Sequence, residues 1–139
     1  MSDIGLISYK TKNFRVRYTE TDQMGFAHHS NYLNYFEMAR IEWLNAMGFS
    51  YAELERSGVV MPVVDAQINY KSPAYFDDCL YVVLYVDQMP TAKIQFRYSV
   101  YNSADKEIAS GSTTLAFLDV STKRPIRCPK ALMELIQSL

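Results

Sequence analysis

The sequence predicts an α+β fold in which one long central helix is wrapped by a five-stranded antiparallel sheet. Apolar residues at helical spacing run from Asn31 to Met47 within the 139 residues. After Gly58 the chain alternates between apolar runs of strand length and short turns. Strands joined by short turns pair antiparallel, and a helix followed by a meander of strands favours a helix-on-sheet layer. The length favours a single domain over residues 1–139.

The N-terminal third is predicted to form a strand, a loop and then the long helix. Asn13–Thr21 alternates between apolar and polar residues, which is typical of a strand with one buried face. Asp22–Ser30, with the sequence DQMGFAHHS, contains turn residues and is expected to be a loop. Ser30 or Asn31 can cap the helix that follows, and Gly48 is a natural residue to end it.

The long helix is apolar on more than one side. At about 100° per residue, one face carries Tyr32, Tyr35, Phe36, Ala39, Trp43, Ala46 and Met47. Four further apolar residues lie off that face, namely Leu33, Met38, Ile41 and Leu44. Such a helix is buried on more than one side, so we expect a sheet to wrap it or a second subunit to cover it.

The remaining two-thirds of the chain are predicted to form a short helix, four strands and a terminal helix. The short helix is Ser50–Gly58, with Ser50 as its cap. The strands are Val59–Ser72, Cys79–Met89, Ala92–Asn102 and Glu107–Val120. Pro62 indicates an edge or a bend, and the continuous apolar run after Cys79 predicts burial on both faces. Pro129–Leu139 begins with proline and is amphipathic.

Composition and charge exclude several classes of protein. The net charge is −1, so no broad basic field is available for nucleic acid or an anionic membrane. No apolar run approaches the roughly 18 residues of a membrane span, and the N-terminus lacks the pattern of a signal peptide. Cys79 and Cys128 are too few for a disulfide framework, and they suit reduced thiols in a cytoplasmic protein.

One motif joins the first strand, the loop and the helix. Its fixed positions are Tyr18, Thr21, Asp22, Gly25, His29 and Tyr32, and it continues as YFEMAR at Tyr35–Arg40. With YKSPAYFDDCLYV at Tyr70–Val82, the pattern resembles the hotdog-fold acyl-CoA thioesterases of the 4-hydroxybenzoyl-CoA thioesterase type. The resemblance covers roughly residues 14–131. It implies a thioester hydrolase that takes acyl-CoA and forms a homodimer or homotetramer, with active sites at the subunit interface. Gln23, Met24 and His28 depart from the family pattern, which bears on substrate identity.

The chemistry of a thioester explains why these residue types suit it. A thiol of pKa near 8.5 leaves readily as thiolate, so the site needs a nucleophile or base and a way to stabilise the oxyanion. Asp22, where the resemblance places the catalytic carboxylate, can attack the acyl carbon or activate water. Unpaired N–H groups where the helix begins can hold the oxyanion, and the family uses the backbone amide at the position of His29. Gly25 permits either a tight turn between the two or a close approach of the chain to the substrate.

The other candidate residues each have a structural alternative. The His29 side chain can orient water or simply pack, His28 can line the acyl pocket or face solvent, and Phe26, Tyr32 and Tyr35 can shape that pocket. The two adjacent histidines offer too few ligands for a metal, so neither a metal nor a redox cofactor is expected.

Glu37 is the rival carboxylate, because another branch of hotdog thioesterases carries its nucleophile on the central helix. The alternative role for Glu37 is an i,i+3 ion pair with Arg40. A dehydratase of the same fold uses a different arrangement of its catalytic residues. A hotdog protein that only binds acyl thioesters or fatty acids is the remaining non-enzymatic interpretation.

A basic stretch, STKRPIRCPK, lies near the C-terminus. Its cations, Lys123, Arg124, Arg127 and Lys130, suit the phosphates of coenzyme A. The same cluster could meet an acidic acyl carrier protein, or it could be a solvated loop.

Overall fold

An antiparallel sheet carries the long helix α1 on one face in the computed structural model, which describes residues 7–139. In chain order the elements are β1 (Ile7–Lys10), β2 (Phe14–Arg15), α1 (Asn31–Ala46), α2 (Tyr51–Arg56), β3 (Val59–Val60), β4 (Val63–Tyr70), β5 (Cys79–Val86), β6 (Lys93–Asn102), β7 (Glu107–Asp119), β8 (Pro125–Ile126) and α3 (Lys130–Gln137). Across these residues every helix is too short or too polar to span a bilayer.

The strand order places β4 at one edge of the sheet. The long strands follow the order β1-β5-β6-β7-β4, and all neighbouring strands are antiparallel. Both β1 and β2 pair with β5, at different positions along it. The two-residue strands β3 and β8 pair with the last part of β7. Within residues 7–139, β4 pairs only with β7, so its other edge has no strand beside it.

Aromatic stacking between α1 and the sheet forms the centre of the core. The Phe36 ring lies parallel to the Tyr98 ring of β6, with centroids 4.1 Å apart, and Trp43 meets Phe96 edge-on at 5.6 Å. All four rings are buried. Ring pairs of this kind add roughly 0.5–1.5 kcal/mol beyond the burial of their area. Because Phe36 and Trp43 lie about two turns apart on α1, the contacts fix both the rotation of the helix and the direction of its axis.

Arg40 is a buried cation on α1 that forms a hydrogen bond within the core. Its Nη1 donates to the Tyr98 hydroxyl at 3.0 Å, and that hydroxyl shares a 2.6 Å hydrogen bond with the Thr113 hydroxyl. The suggested ion pair between Glu37 and Arg40 is not among the ion pairs of residues 7–139. Arg40 turns inward instead, while Glu37 is exposed.

The structure confirms most of the expected elements. Five strands have four or more residues, so the expected five-stranded antiparallel sheet is present, although its first strand is Ile7–Lys10. Ser50 caps α2 by accepting a hydrogen bond from the Glu53 amide. The long helix ends before Gly48, whose φ of +78° favours glycine. Pro62 lies at the break between β3 and β4.

Two expectations about strands are wrong. The strand expected over Asn13–Thr21 ends at Arg15, because Arg17 and Glu20 bond to each other and close a 3-10 turn at Tyr18–Glu20. The strand β5 is not buried on both faces. Every second residue from Leu80 to Val86 is buried, and the alternate residues are half-buried on the outer face of the sheet.

Candidate functional site

A cavity of about 360 Å³ opens where α1 begins. Four of the residues singled out from the sequence border it, namely Asp22, Phe26, His29 and Tyr32. They come from the loop before α1 and from the first turn of the helix. Burial raises the pKa of the Tyr32 phenol, and the neighbouring Tyr70 raises it further, so the phenol is neutral. The residues that border the cavity thus include one aspartate, one histidine, one lysine and several aromatic residues.

The loop that carries Asp22 is a short hairpin. The Asp22 amide donates to the Phe26 carbonyl oxygen at 3.0 Å, and the Gly25 amide donates to the Asp22 carbonyl oxygen at 3.0 Å. Gly25 has a φ of +87°, so the tight turn expected at this glycine is confirmed. One carboxylate oxygen of Asp22, Oδ1, accepts from the Met24 amide at 2.8 Å. Among residues 7–139 no hydrogen bond joins its other oxygen, Oδ2.

The chain enters α1 directly beneath the cavity. The Tyr32 and Asn31 amides donate to the His29 and His28 carbonyl oxygens at 3.3 and 3.0 Å, which begins the helical bonding. No group in the described part of the chain accepts a hydrogen bond from the His29 amide. Ser30 stands at the N-cap position, but its side chain accepts no capping bond. A backbone donor just before a helix N-terminus thus has no acceptor within residues 7–139.

The two histidines differ in position. The His29 ring borders the cavity, and the Tyr70 hydroxyl donates to the His29 carbonyl oxygen at 3.3 Å. The His28 ring does not border the cavity; it lies against the His29 ring, with centroids 4.0 Å apart, and its Nδ1 bonds the Ser30 hydroxyl at 2.9 Å. Tyr35 does not border the cavity either and is 1% exposed.

Part of the cavity wall was not foreseen as functional. It consists of Ala27, Tyr70, Lys71, Ser72 and Pro73. The last four lie in the stretch YKSP that helped to carry the family resemblance, so the motif was the available signal. They reach the site because the Ala27 amide donates to the Ala74 carbonyl oxygen at 2.6 Å, which ties the two loops together.

Four candidate residues lie elsewhere. Glu37 is exposed on the second turn of α1 and does not border the cavity. Lys123, Arg124 and Arg127 are exposed on the loop around β8, which pairs with the end of β7. Tyr70 lies opposite Ala109, near the start of β7. The ten residues from there to Asp119 extend over roughly 33 Å of strand. Within one chain the basic loop and the cavity are at opposite ends of the sheet.

A larger concavity of about 600 Å³ lies on the outer face of the sheet. Its walls include Gln67, Arg97 and Ser112, and neither Asp22 nor His29 borders it. The smaller cavity is the better candidate because Asp22 borders it together with His29, whose amide has no acceptor in the described part of the chain. Residues 7–139 contain no group of three His, Cys, Asp or Glu side chains placed to hold a metal ion.

Sequence comparisons show which known proteins the chain is similar to. Residues 16–136 match the family described as the thioesterase-like superfamily. The chain is 34% identical over 120 residues to a Bacillus subtilis (strain 168) protein provisionally named acyl-CoA thioesterase YneP, covering 86% of this chain and 87% of that protein. It is 30% identical over 117 residues to acyl-CoA thioesterase YbgC from Haemophilus influenzae, covering 84% of this chain and 85% of that protein.

A solved structure shares the arrangement of elements. The crystal structure of a DHNA-CoA thioesterase from Staphylococcus aureus superposes with a TM-score of 0.89 and 30% sequence identity. The superposition covers 94% of this chain and 89% of that one.

Proposed function

The chain belongs to the thioesterase-like superfamily and is a thioester hydrolase, and from this premise we propose that it cleaves acyl-CoA into coenzyme A and a free carboxylic acid, with Asp22 as the reacting carboxylate. The hotdog fold expected from the sequence is confirmed by the family match and by the shared architecture. The single observation that carries the proposal is the cavity at the start of α1. There Asp22 and His29 border the same space, and the His29 amide has no hydrogen-bond acceptor within residues 7–139.

The Asp22 carboxylate begins the reaction by one of two routes. It attacks the carbonyl carbon to form a mixed anhydride that water then cleaves, or it takes a proton from water while the oxygen of that water attacks. In both routes the C–S bond breaks, the electron pair leaves with sulfur, and water supplies the acid's new oxygen. The bond from the Met24 amide to Oδ1 holds the carboxylate in one orientation and supports either role.

The oxyanion forms against the His29 amide. This N–H lies at the positive end of the α1 dipole, so it stabilises negative charge without a cationic side chain. Gly25 lets the hairpin fold back so that Asp22 faces the same cavity. The His29 side chain can orient water, and the His28 ring lies against it with centroids 4.0 Å apart.

The acyl group occupies the remaining space, between Phe26, Tyr32 and Met24. The test is a panel of acyl-CoAs, from acetyl to long-chain and benzoyl thioesters, assayed for release of free thiol. Turnover of at least one of them supports the proposal. A protein that binds acyl thioesters and leaves all of them intact would be a binding protein instead.

We also propose that two chains pair through β4 to form the homodimer implied by the family resemblance, which can assemble further into a homotetramer. The support is the unpaired edge of β4, on which Val63, Val64 and Tyr70 are exposed. An open edge offers a row of backbone donors and acceptors to another strand. A twofold axis through an antiparallel pair of β4 strands places the Tyr70 end of one chain beside the Val63 end of its partner.

Replacing Val64 with Asp should shift the protein from dimer to monomer. Val64 is 52% exposed, and a carboxylate there would be desolvated at the proposed strand pair. Sedimentation velocity at micromolar concentration measures the change, with Asp65→Asn as a control that removes charge from the same edge. A Val64→Asp protein that sediments like wild type would contradict pairing through β4.

The proposed dimer also gives the basic loop a role. The loop around β8 lies at the Val63 end of the sheet, so pairing through β4 brings the partner's basic loop to the end where Asp22 lies. Lys123, Arg124 and Arg127 then have access to the phosphates of a bound coenzyme A. An acyl carrier protein, which is acidic, could use the same loop.

Replacing Arg124 with Ala should raise KM for acyl-CoA about tenfold while kcat stays near wild type, because the lost contact is to a phosphate remote from the reacting bond. The matched substrate is the thioester of pantetheine with the same acyl group, which lacks these phosphates. Its KM is expected to be unchanged. Equal effects on both substrates would mean that the loop does not bind the phosphates.

A further inference from the structure

Glu20 is a buried carboxylate that the proposed chemistry does not use. It is 8% exposed, and it ends the 3-10 turn just before Thr21. Its Oε1 accepts hydrogen bonds from the Tyr35 hydroxyl and the Arg17 amide, both at 2.9 Å. Its Oε2 accepts from the Arg17 guanidinium at 2.9 Å. Both oxygens are satisfied, as a buried carboxylate requires, and neither borders the cavity.

The backbone of Glu20 connects three segments of the site. Its carbonyl oxygen accepts from the His28 amide and from the Asn31 side-chain amide, both at 2.8 Å. Next along the chain, Thr21 and Ala27 pair across the base of the hairpin. The residue two positions before Asp22 is therefore bonded directly to the residue before His29 and to the first residue of α1.

Tyr35 is the fixed end of this connection. It lies on the second turn of α1 and is 1% exposed. Its ring contacts Phe14 at 4.9 Å and Tyr32 at 5.5 Å between centroids. The hairpin is far less constrained, since Met24 at its tip is 71% exposed. The buried hydrogen bond from Tyr35 to Glu20 thus joins the loop to a fixed position on α1, in addition to the two bonds that the Glu20 carbonyl oxygen accepts.

We infer that Glu20 is a positioning residue, which holds the Asp22 carboxylate and the His29 amide at a fixed separation by anchoring their loop to Tyr35 of α1. The inference depends on the proposed function, because it assumes that those two groups react with one substrate. Catalysis by a carboxylate and an oxyanion donor requires both at the correct distance from one carbonyl, and an error near 1 Å can cost about a hundredfold in rate.

The protonation states fit this role. Burial raises the pKa of the Glu20 carboxyl, but hydrogen bonds from the Arg17 amide, the Tyr35 hydroxyl and the Arg17 guanidinium outweigh it and lower the pKa overall. Burial and the bond to Glu20 raise the pKa of Tyr35 well above its ordinary value. An ionised acceptor and a neutral donor give a charge-assisted bond, which is stronger than a neutral one.

The chain provides a matched control for this bond. The Tyr9 hydroxyl donates to Glu42 Oε2 at 2.9 Å, and the Lys12 amide donates to the same oxygen at 2.9 Å. This second pair also ties a tyrosine to a glutamate and connects α1 to a neighbouring segment. Neither Tyr9 nor Glu42 borders the cavity.

The test compares Glu20→Gln and Tyr35→Phe with Glu42→Gln and Tyr9→Phe in the full chain, using an acyl-CoA that the wild type hydrolyses. We expect kcat to fall roughly 10- to 100-fold in the first pair with KM within about twofold of wild type. The control pair should keep wild-type kcat, although its Tm should fall by a similar amount. The double variant Glu20→Gln/Tyr35→Phe should be no slower than the slower single variant, because both changes remove one connection.

Tyr35→Phe removes a single hydroxyl and keeps the test available if Glu20→Gln does not fold. A Tyr35→Phe enzyme with wild-type kcat would overturn the inference, as would losses of kcat that follow Tm equally in both pairs. If Asp22→Asn is inactive while Glu20→Gln and Tyr35→Phe keep full turnover, the proposed function stands and only the positioning role fails. If Asp22→Asn keeps full turnover, the proposed site fails and the inference fails with it.

Discussion

The Asp22→Asn variant is expected to lose about 10²- to 10⁴-fold in kcat for acyl-CoA hydrolysis, with KM close to wild type. An asparagine side chain has nearly the same size and can still accept the hydrogen bond that Met24 donates at 2.8 Å. It cannot attack a carbonyl carbon or take a proton from water. Release of free thiol under steady-state conditions measures the loss, and the unchanged KM shows that the cavity still binds substrate.

Glu37→Gln is the control for this prediction, because it removes the other candidate carboxylate. Glu37 is exposed on α1 and lies outside the cavity, so turnover should remain near wild type. The opposite result, with the Asp22→Asn variant active and the Glu37→Gln variant inactive, would assign the reaction to the carboxylate on the helix. Loss of activity in both variants with a normal Tm would mean that both carboxylates contribute.

The Gly111→Ala variant is expected to lose about 1–3 kcal/mol of stability, which corresponds to a Tm lower by roughly 5–10 °C. An added Cβ at Gly111 on β7 would meet the carbonyl oxygen of Gln67 on β4 and two atoms of the Phe36 ring at 2.9 and 3.0 Å. The backbone of β4 cannot retreat without losing its ladder with β7. Phe36 cannot move easily either, because it stacks on Tyr98.

Ser112→Ala is the matched control, since Ser112 follows Gly111 and faces the outer side of the sheet. Its Tm should stay within about 2 °C of wild type. Denaturation followed by circular dichroism compares the two variants. A Gly111→Ala protein as stable as wild type would mean that β4 and α1 adjust to the extra methyl group, and that their separation is not set by close contact.

Strict periodicity allowed most elements to be predicted from the sequence. Lys93–Asn102 alternates cleanly, and its inward residues are buried as expected. Asn13–Thr21 alternates equally well, yet the strand stops at Arg15 because hydrogen bonds between Arg17 and Glu20 favour a turn. Periodicity detects which face is apolar, but it does not detect a side chain that bonds the backbone three residues away. Two-residue strands such as Pro125–Ile126 are too short to show any period.

The candidate site was predictable where it is contiguous in sequence. Asp22, Gly25 and His29 lie within eight residues, so their spacing is visible without a structure. Tyr70 reaches the cavity from a distant strand, and its place there is shown by its hydrogen bond to His29 and by the bond between Ala27 and Ala74. The basic loop could not be placed from the sequence either, because its distance from Asp22 depends on the register of β7 with its neighbours.

The pairing of β1 and β2 with β5 has a consequence for synthesis on the ribosome. Ile7 lies opposite Val86, and Arg15 lies opposite Cys79. Neither early strand can therefore pair until the ribosome has added more than sixty further residues. Until then the aromatic stripe of α1 has no sheet to cover it, and a nascent chain exposes it to chaperones and to other chains. We expect ribosome-bound chains that stop before Cys79 to be protease-sensitive, and full-length released chains to be resistant.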